Sequence, residues 1–407
     1  MKKLIYTLAF VLIVHCTLNI ENCMSQWVQI NGPSYANISS LAVSGNNILA
    51  GTYQGIYYST NNGTNWTPTN INSESFYCFT VRENYVFAGS YGVYLSTNNG
   101  TIWSQTTLWA GNVYSLATLG NNIFAGTAVQ SFNGGVYLST NNGMDWTQIG
   151  LVNIGVGALV TFGSNIIAGT SHGIYLSTNN GQNWTQNSLN NVTVISFAIL
   201  GNNIFAGTAG KGVYLSTDNG TSWSQTAFKN TQVHSFAVSG NNIFAGSGDS
   251  FPADSNGVYL STNNGTNWIL KNQGFFYTPS VEALIIANNY IFLSQINHNS
   301  VWRRSLAEII GIKQISEVVP TSFSLYQNYP NPFNPSTKIK FNIPKSTNIK
   351  ISVYDITGKE IEILANEKVS PGSYEVEFDG YKYSSGIYFY RLETPAFVQT
   401  NKMILLK

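Results

Sequence analysis

Short apolar runs separated by polar turns recur along the first three quarters of the chain. One such run begins at Val194 and is followed by Gly-Asn-Asn, and then come the apolar segments 204–208 and 212–216. Short runs rich in Val, Ile, Phe and Tyr and bounded by Gly and Asn are typical of buried strands joined by tight hairpins. The pattern therefore predicts antiparallel β-structure in which each unit is a four-stranded meander.

The unit repeats at intervals of 37 to 45 residues, and a tryptophan marks each copy. Six of these tryptophans close the octet Ser-Thr-Asn/Asp-Asn-Gly-x-x-Trp. A repeat of roughly 40 residues with four short strands indicates a β-propeller, in which a single blade cannot bury its own faces. The Ala-Gly-Thr/Ser motif that ends the second strand of six units supplies small residues, which we expect where neighbouring blades approach each other. The seven tryptophans are Trp27, Trp66, Trp103, Trp146, Trp184, Trp223 and Trp268.

The two ends of the repeat region are incomplete in complementary ways. The segment 27–29 has the sequence type that follows each octet, yet no octet precedes it. The segment 283–304 has the first three strands of a unit, yet no octet follows it. We therefore predict an all-β fold with a seven-bladed propeller, whose last blade takes its outer strand from the N-terminus. Such closure removes exposed sheet edges.

The octet resembles the Asp-box, Ser-x-Asp-x-Gly-x-x-Trp, of sialidase-like propellers. Asp or Asn at the third position can bond backbone N–H groups two residues on and fold the turn, while the glycine suits a left-handed position and the tryptophan packs between blades. Asparagine cannot act as a general acid or an anionic metal ligand, so we interpret the boxes as scaffold. The residues interpreted in this way are Asn61, Asn98, Asn141, Asn179, Asp218 and Asn263, with Trp66, Trp103, Trp146, Trp184, Trp223 and Trp268.

The last fifth of the chain has different motifs, with most of the lysines and prolines. It contains Tyr-Pro-Asn-Pro-Phe-Asn-Pro at 329–335, Ile-Ser-Val-Tyr-Asp-Ile-Thr-Gly at 351–358 and Lys-Met-Ile-Leu-Leu-Lys at 402–407. These motifs resemble the C-terminal sorting domain of type IX secretion cargo. Alternating runs between them predict an Ig-like β-sandwich of about seven strands. The resemblance implies recognition by the type IX export machinery of a Bacteroidetes-type bacterium.

The N-terminus has the pattern of a signal peptide. Lys2 and Lys3 precede the apolar stretch 4–14, which is too short to span a bilayer. The predicted organisation is a signal peptide (1–25), a propeller (26–310), a linker (311–325) and a sorting domain (326–407). We expect a secreted or outer-membrane surface protein without a transmembrane anchor in its mature form.

Charge is sparse, since charged residues are 9% of the chain and the net charge is +1. There is no basic patch in the sequence, so nucleic acid is not expected as a partner. His172, His234 and His298 fall on different blades, without ligand spacing or a carboxylate neighbour, so we predict no metal and no cofactor.

An enzymatic function is one alternative. Sialidase-like relatives bind a substrate carboxylate with three arginines from different blades. Here Arg82 falls on the box side, and Arg303 and Arg304 are adjacent on one strand, where they point to opposite faces. A glycosidase also needs two carboxyls facing each other, for which Glu74 and Asp249 are a candidate pair. We predict that the protein is not an enzyme and retain an extracellular glycoside hydrolase as the alternative.

The loops that vary between repeats are those joining second to third strands and those joining one blade to the next. These loops share one end of the axis, the mouth, where repeat scaffolds usually bind ligands. Aromatic side chains among Asn, Ser and Thr suit a sugar ring or a protein loop. We predict a non-catalytic glycan- or protein-binding module, with a structural or adhesion module as a second alternative. The candidate ligand-binding residues are Tyr53, Tyr91, Trp109, Phe132, His172, Asp249, Phe251, Asp254 and Phe276, with Trp109 the strongest candidate.

Overall fold

The computed structural model describes residues 26–33, 37–128, 134–248, 255–296, 300–316, 318–381 and 383–407. Within these ranges the strands form seven four-stranded sheets, which are followed by two more four-stranded sheets. This confirms the predicted all-β fold of a seven-bladed propeller and a sandwich. The predicted signal peptide lies outside the described residues, and within them no helix has the length and apolar character needed to cross a membrane.

Six blades are antiparallel meanders whose strand order follows the chain. Blades 1 to 3 contain β2 (Ile38–Ser44), β3 (Asn47–Thr52), β4 (Gly55–Ser59), β5 (Thr67–Pro68), β6 (Cys78–Arg82), β7 (Tyr85–Ser90), β8 (Gly92–Ser96), β9 (Ser104–Gln105), β10 (Val113–Leu119), β11 (Asn122–Thr127), β12 (Gly135–Ser139) and β13 (Thr147–Gly150). Blades 4 to 6 contain β14 (Val156–Phe162), β15 (Asn165–Thr170), β16 (Gly173–Ser177), β17 (Thr185–Asn190), β18 (Val194–Leu200), β19 (Asn203–Thr208), β20 (Val213–Ser216), β21 (Ser224–Gln225), β22 (Val233–Ser239), β23 (Asn242–Ser247), β24 (Gly257–Ser261) and β25 (Ile269–Leu270).

Blade 7 combines the two ends of the propeller sequence. It contains β26 (Val281–Ala287), β27 (Tyr290–Gln295), β28 (Val301–Ser305) and the N-terminal strand β1 (Val28–Ile30). β1 pairs antiparallel with β28, with Gln29 opposite Trp302. The innermost strand of blade 7, β26, contacts those of both blade 6 and blade 1. The ring is therefore closed by non-covalent pairing, as predicted.

The Ala-Gly-Thr motif lies where neighbouring blades meet. A Cβ atom on Gly207 would lie 2.2 Å from Oγ of Ser196 and 2.7 Å from the carbonyl oxygen of Val233 in the next blade. Ser196 donates a 2.8 Å hydrogen bond to the same carbonyl. Thr208 donates to the carbonyl of Gly212 (2.7 Å) and so fixes the hairpin at the mouth. The motif thus combines close packing between blades with a defined loop.

The octets form the turns between third and fourth strands, at the opposite end of each blade from the mouth. In blade 5, Oδ1 of Asp218 accepts hydrogen bonds from the Ser216 hydroxyl (2.8 Å) and the backbone N–H of Ser222 (2.9 Å), which is four residues on and not two. Trp223 Nε1 donates to the carbonyl of Gly220 (3.1 Å). Asparagine makes the corresponding two bonds in the other five boxes.

Two features complete the box geometry. Two successive residues are left-handed, as Asn219 (φ 61°) and Gly220 (φ 86°) illustrate, and these residue types tolerate that conformation best. The box tryptophans donate to the glycine of their own box, except Trp66, which donates to the carbonyl of Asn31 just after β1 (2.8 Å). The box of blade 1 is therefore tied to the strand that closes the ring.

Asp218 provides a pH-dependent contribution that the asparagine boxes lack. Hydrogen bonds, first from the Ser222 hydroxyl, lower the pKa of Asp218 to about 2. A carboxyl with a depressed folded-state pKa stabilises the fold above its unfolded value, and this contribution is lost as the pH falls through the folded value. We expect Asp218→Asn to leave the melting temperature at pH 7 nearly unchanged and to weaken its decline between pH 4 and pH 2. Identical acid melting curves for both proteins would contradict this assignment.

In the described part of the C-terminal sandwich, eight strands form two sheets. The core between the sheets includes Phe341, Val353, Tyr374 and Tyr390, all buried. The strand orders are β29 (Ile312–Ser316), β34 (Gly372–Asp379), β31 (Ser336–Ile343) and β30 (Ser324–Leu325) in one sheet, and β33 (Glu360–Val369), β32 (Thr347–Tyr354), β35 (Gly386–Thr394) and β36 (Phe397–Leu405) in the other.

The segment 311–325 differs from the linker that the sequence predicts, because β29 and β30 both pair within the sandwich. This pairing accounts for an eighth strand where about seven were expected. β29 has only one buried apolar anchor, Ile312, and a polar edge. The alternation of apolar and polar residues in β29 covers only five residues, which is too few to distinguish a strand from a linker in the sequence.

The sandwich contacts the propeller on its box side. The short helix α1 (Leu306–Ile309) buries its first and last residues in the core of blades 6 and 7, while Ala307 packs against the sandwich core. The side chain of Asn289, at a box-side turn of blade 7, donates to Oγ of Ser370 (3.0 Å). The sorting domain therefore lies away from the mouth.

Candidate functional site

A β-bulge in the first strand of six blades places one residue of each on the central channel, and Tyr77, just before β6, takes the corresponding position in blade 2. In blade 3 the pairing of β10 with β11 shifts between Val113 and Ser115, so Tyr114 is the extra residue. The same shift occurs in blades 1, 4, 5, 6 and 7. A bulge re-aims a side chain out of the regular alternation. The seven channel residues are Ser39, Tyr77, Tyr114, Gly157, Ile195, His234 and Glu282.

The channel is a cavity of about 290 Å³. It is lined by the seven channel residues and by the two residues that follow each of them along the chain. The strands around it repeat from blade to blade, whereas the channel residues differ in chemistry. Tyrosines occupy blades 2 and 3, small or aliphatic residues occupy blades 4 and 5, and a histidine and a glutamate occupy blades 6 and 7.

Three tyrosines form one cluster at the mouth of the channel. The rings of Tyr77 and Tyr114 lie 4.9 Å apart with an interplanar angle of 38°. Tyr53, in the hairpin between β3 and β4, is 51% exposed. Burial of the hydroxyl raises the pKa of Tyr53, and the carboxylate of Glu282 and the phenols of Tyr77 and Tyr114 raise it further. The predicted mouth residue Tyr53 therefore shares its surroundings with three channel residues.

Tyr91 and Trp109 are two further exposed aromatic residues on mouth loops that belong to or follow blade 2. Tyr91, in the hairpin between β7 and β8, is 53% exposed and pairs with Asn112 through an isolated bridge. Trp109 is 65% exposed, but its neighbours Leu108 and Ala110 are buried in the blade core and hold the loop in place. We call Tyr53, Tyr77, Tyr91, Trp109 and Tyr114 the aromatic sector.

The opposite part of the channel carries a histidine–carboxylate pair. Nδ1 of His234 lies 3.8 Å from Oε2 of Glu282, and the side chain of Glu282 is 28% exposed. The prediction that His234 lacks a carboxylate neighbour is therefore wrong. The two residues belong to adjacent blades and meet only because both lie on bulges facing the axis.

Two further predicted mouth residues, His172 and Phe276, are not part of the channel lining. His172 is exposed in the hairpin between β15 and β16, with Nδ1 3.0 Å from Oγ of Ser171. Phe276 is 96% exposed on the connection into blade 7, whereas its neighbour Phe275 stacks on Trp27. Phe132, Asp249, Phe251 and Asp254 fall outside the described residues.

Four of the residues considered for catalysis lie in the described part of the chain, and they make contacts within the scaffold. Arg82 donates to backbone carbonyls at a box-side turn, Arg303 donates to the box of blade 1, and Arg304 donates to the side chain of Gln273. Glu74 accepts a 2.6 Å hydrogen bond from Tyr94, whose pKa is raised by burial and by this carboxylate.

Two channel residues, Tyr77 and Tyr114, were missed from the sequence as site candidates, and His234 and Glu282 were considered only as a metal ligand and as a carboxylate near a blade junction. Each is the single varying position near the start of a first strand that otherwise repeats. Comparison of the repeats with one another marks this position, but only the bulge reveals that it faces the axis.

Comparisons with protein families agree with this architecture. Residues 327–406 match the family model described as a secretion system C-terminal sorting domain, and residues 57–68 match that of the BNR/Asp-box repeat. The protein is thus an Asp-box β-propeller followed by a type IX sorting domain. The sorting domain implies export through the type IX secretion system and interaction with its machinery.

Solved structures with the same propeller fold include YCF48 from Cyanidioschyzon merolae, with 14% identity, a TM-score of 0.54 and coverage of 69% of this chain and 98% of that chain. YCF48 bound to D1 peptide has 17% identity, a TM-score of 0.53 and coverage of 69% and 95%. The computationally designed Ika8 protein has 12% identity, a TM-score of 0.50 and coverage of 68% and 98%. At these identities the likeness concerns the fold alone. A search of curated proteins finds no match.

Proposed function

We propose that the exported propeller is a non-catalytic binding module whose mouth recognises an extracellular polypeptide. The observation that carries this proposal is the aromatic sector, in which two tyrosines line the channel and three further exposed aromatic side chains lie on loops at the mouth. Tyrosine and tryptophan combine apolar contact area with a polar group, and they are enriched in protein interfaces for this reason.

The size of the channel favours an inserted side chain over a free small molecule. Its volume of about 290 Å³ is at the lower limit of ligand pockets, which usually range from about 300 to 1,000 Å³. A polypeptide could place one side chain in the channel and rest its backbone on the aromatic sector. A YCF48 propeller of the same fold is described as bound to a peptide, which supports a polypeptide as the ligand class.

The contacts of the two described carboxyl groups, Glu74 and Glu282, support a non-catalytic role. Glycoside hydrolysis requires two carboxyl groups on either side of the scissile bond. Glu74 is engaged by Tyr94 and Ser90, and the acidic group in the channel, Glu282, faces a histidine of the next blade.

A glycan is the second candidate ligand, and Trp109 is the observation that favours it. This indole is 65% exposed on an anchored loop that also carries threonine and asparagine side chains. A flat ring beside polar groups suits stacking against a sugar ring.

Selection of peptides from a phage-displayed library on the full chain tests the proposed function. Affinities of the selected peptides are then measured for the wild type, Trp109→Ala and Tyr91→Ala. We expect the mouth variants to bind at least about tenfold more weakly, because exposed aromatic anchors dominate binding energy at interfaces. A panel of soluble polysaccharides, tested in the same way, examines the glycan alternative.

Met144→Ala is the matched control, since Met144 is 68% exposed on the box of blade 3, at the far end from the mouth. It should bind like the wild type. Failure of the library to yield binders, or binders that are indifferent to both mouth variants, would overturn the polypeptide proposal.

A further inference from the structure

Glu282 gives the channel its charge. It is the one carboxylate among the seven channel residues, and it is 28% exposed where it lines the cavity. The residues lining the cavity in the described part of the chain include neither lysine nor arginine. Glu282 therefore places a carboxylate on a channel wall that holds neither lysine nor arginine among the described residues.

Partial burial increases the influence of this charge on a ligand. The effective dielectric inside a narrow protein channel is well below that of water, so a half-buried carboxylate attracts a cation more strongly than an exposed one. The pairing distance to His234, 3.8 Å, is longer than a hydrogen bond. An ammonium or guanidinium group at hydrogen-bond distance from Glu282 would lie closer to the carboxylate than the imidazole does.

The tyrosines of the channel supply a second contact for a cation. Tyr77 and Tyr114 line the same cavity as Glu282, and their rings are in contact with each other. Tyr53 lies within the electrostatic range of all three residues. Aromatic faces attract ammonium and guanidinium groups, and this attraction strengthens when the cation is desolvated.

We propose that the channel is the binding site for one lysine or arginine side chain of the polypeptide ligand. The long apolar stem passes the tyrosines of the aromatic sector, and its cationic head pairs with Glu282. This assignment rests on the proposed polypeptide-binding function and specifies the residue that the mouth selects. Glu282 is then the residue that determines specificity for a basic side chain. The outer aromatic residues contact the peptide but do not discriminate between charged and neutral side chains.

Matched small probes test the charge requirement directly. We expect Nα-acetylarginine methylamide to bind the full chain in ligand-observed NMR titrations, and the citrulline analogue, which has a neutral side chain of the same shape, to bind at least about tenfold more weakly. Glu282→Gln should reduce arginine binding by a similar factor and abolish the difference between the two probes. Equal binding of both probes to the wild type would overturn the proposal.

Glu83→Gln is the matched control, because Glu83 is exposed at the turn between β6 and β7 on the box side. It should retain wild-type affinity for the arginine probe. Thermal melting checks that Glu282→Gln is folded, and Tyr114→Leu provides a second channel variant that should also weaken arginine binding. Unchanged affinity in both folded variants would exclude the channel as the site.

The peptide selection separates this inference from the function on which it rests. Enrichment of one lysine or arginine on the wild type, lost on Glu282→Gln, is the expected result. Peptides that depend on Trp109 but contain no common basic residue would overturn the channel assignment and leave polypeptide binding intact. Absence of any selected peptide would overturn polypeptide binding itself.

Discussion

Replacing Trp27 with alanine should destabilise the propeller by about 3–5 kcal/mol, the usual cost of removing a large buried aromatic side chain. Trp27 is 2% exposed, and its Nε1 donates a 2.7 Å hydrogen bond to the carbonyl of Lys271. Its ring stacks on Phe275, which also contacts Trp302. The residue therefore fastens the N-terminal strand to blades 6 and 7. Urea denaturation followed by far-ultraviolet circular dichroism measures the change.

Trp109→Ala is the control for this prediction, because it removes the same side chain from a position that is 65% exposed. Its effect on stability should remain within about 0.5 kcal/mol. Deletion of residues 26–30 should also leave the edge of β28 unpaired and promote self-association, visible by size-exclusion chromatography. Equal denaturation midpoints for Trp27→Ala and Trp109→Ala would contradict the proposed role of Trp27.

Gly207→Ala should destabilise the propeller by about 1–3 kcal/mol, as expected when atoms are added to a packed interior. The added Cβ would lie 2.2 Å from Oγ of Ser196 and 2.7 Å from the carbonyl oxygen of Val233. Rotation of the serine can relieve the first contact, but the second involves backbone of the next blade. Relief of both contacts would therefore require blades 5 and 6 to move apart.

Gly157→Ala tests whether the loss comes from close packing and not from the substitution of a strand glycine as such. A Cβ on Gly157 would meet only the carbonyl oxygen of Val194, at 3.6 Å. We expect this variant to match the wild type or to be more stable by up to about 1 kcal/mol, because alanine restricts the unfolded chain. Similar denaturation midpoints for Gly207→Ala and Gly157→Ala would refute the packing argument.

The fold could be predicted because its signals are repeated and local. The units share a strand pattern, a box turn and a set of small residues. An ambiguous pattern in one unit can therefore be interpreted by comparison with the others. Ring closure was predicted from the complementary gaps at 27–29 and 283–304. The pairing of Gln29 with Trp302 confirms that prediction.

The candidate site was predicted only at its outer edge. Tyr53, Tyr91 and Trp109 were identified because they occupy loops, where variation is easy to recognise. Tyr114 and Glu282 lie within strands that otherwise repeat, and regular alternation does not indicate which face they take. The bulge that turns them toward the axis depends on pairing with the second strand, which the sequence pattern does not specify.

The composite seventh blade also affects how the protein reaches its native state. Val28 pairs with Arg303, so the first and last strands of the propeller must find each other after every intervening blade has been synthesised. Such non-local pairing raises contact order and slows folding. A chain that ends before β28 has no partner for its N-terminal strand and keeps an open edge on either side. The ring can therefore close only in a chain that contains the whole propeller sequence from β1 to β28.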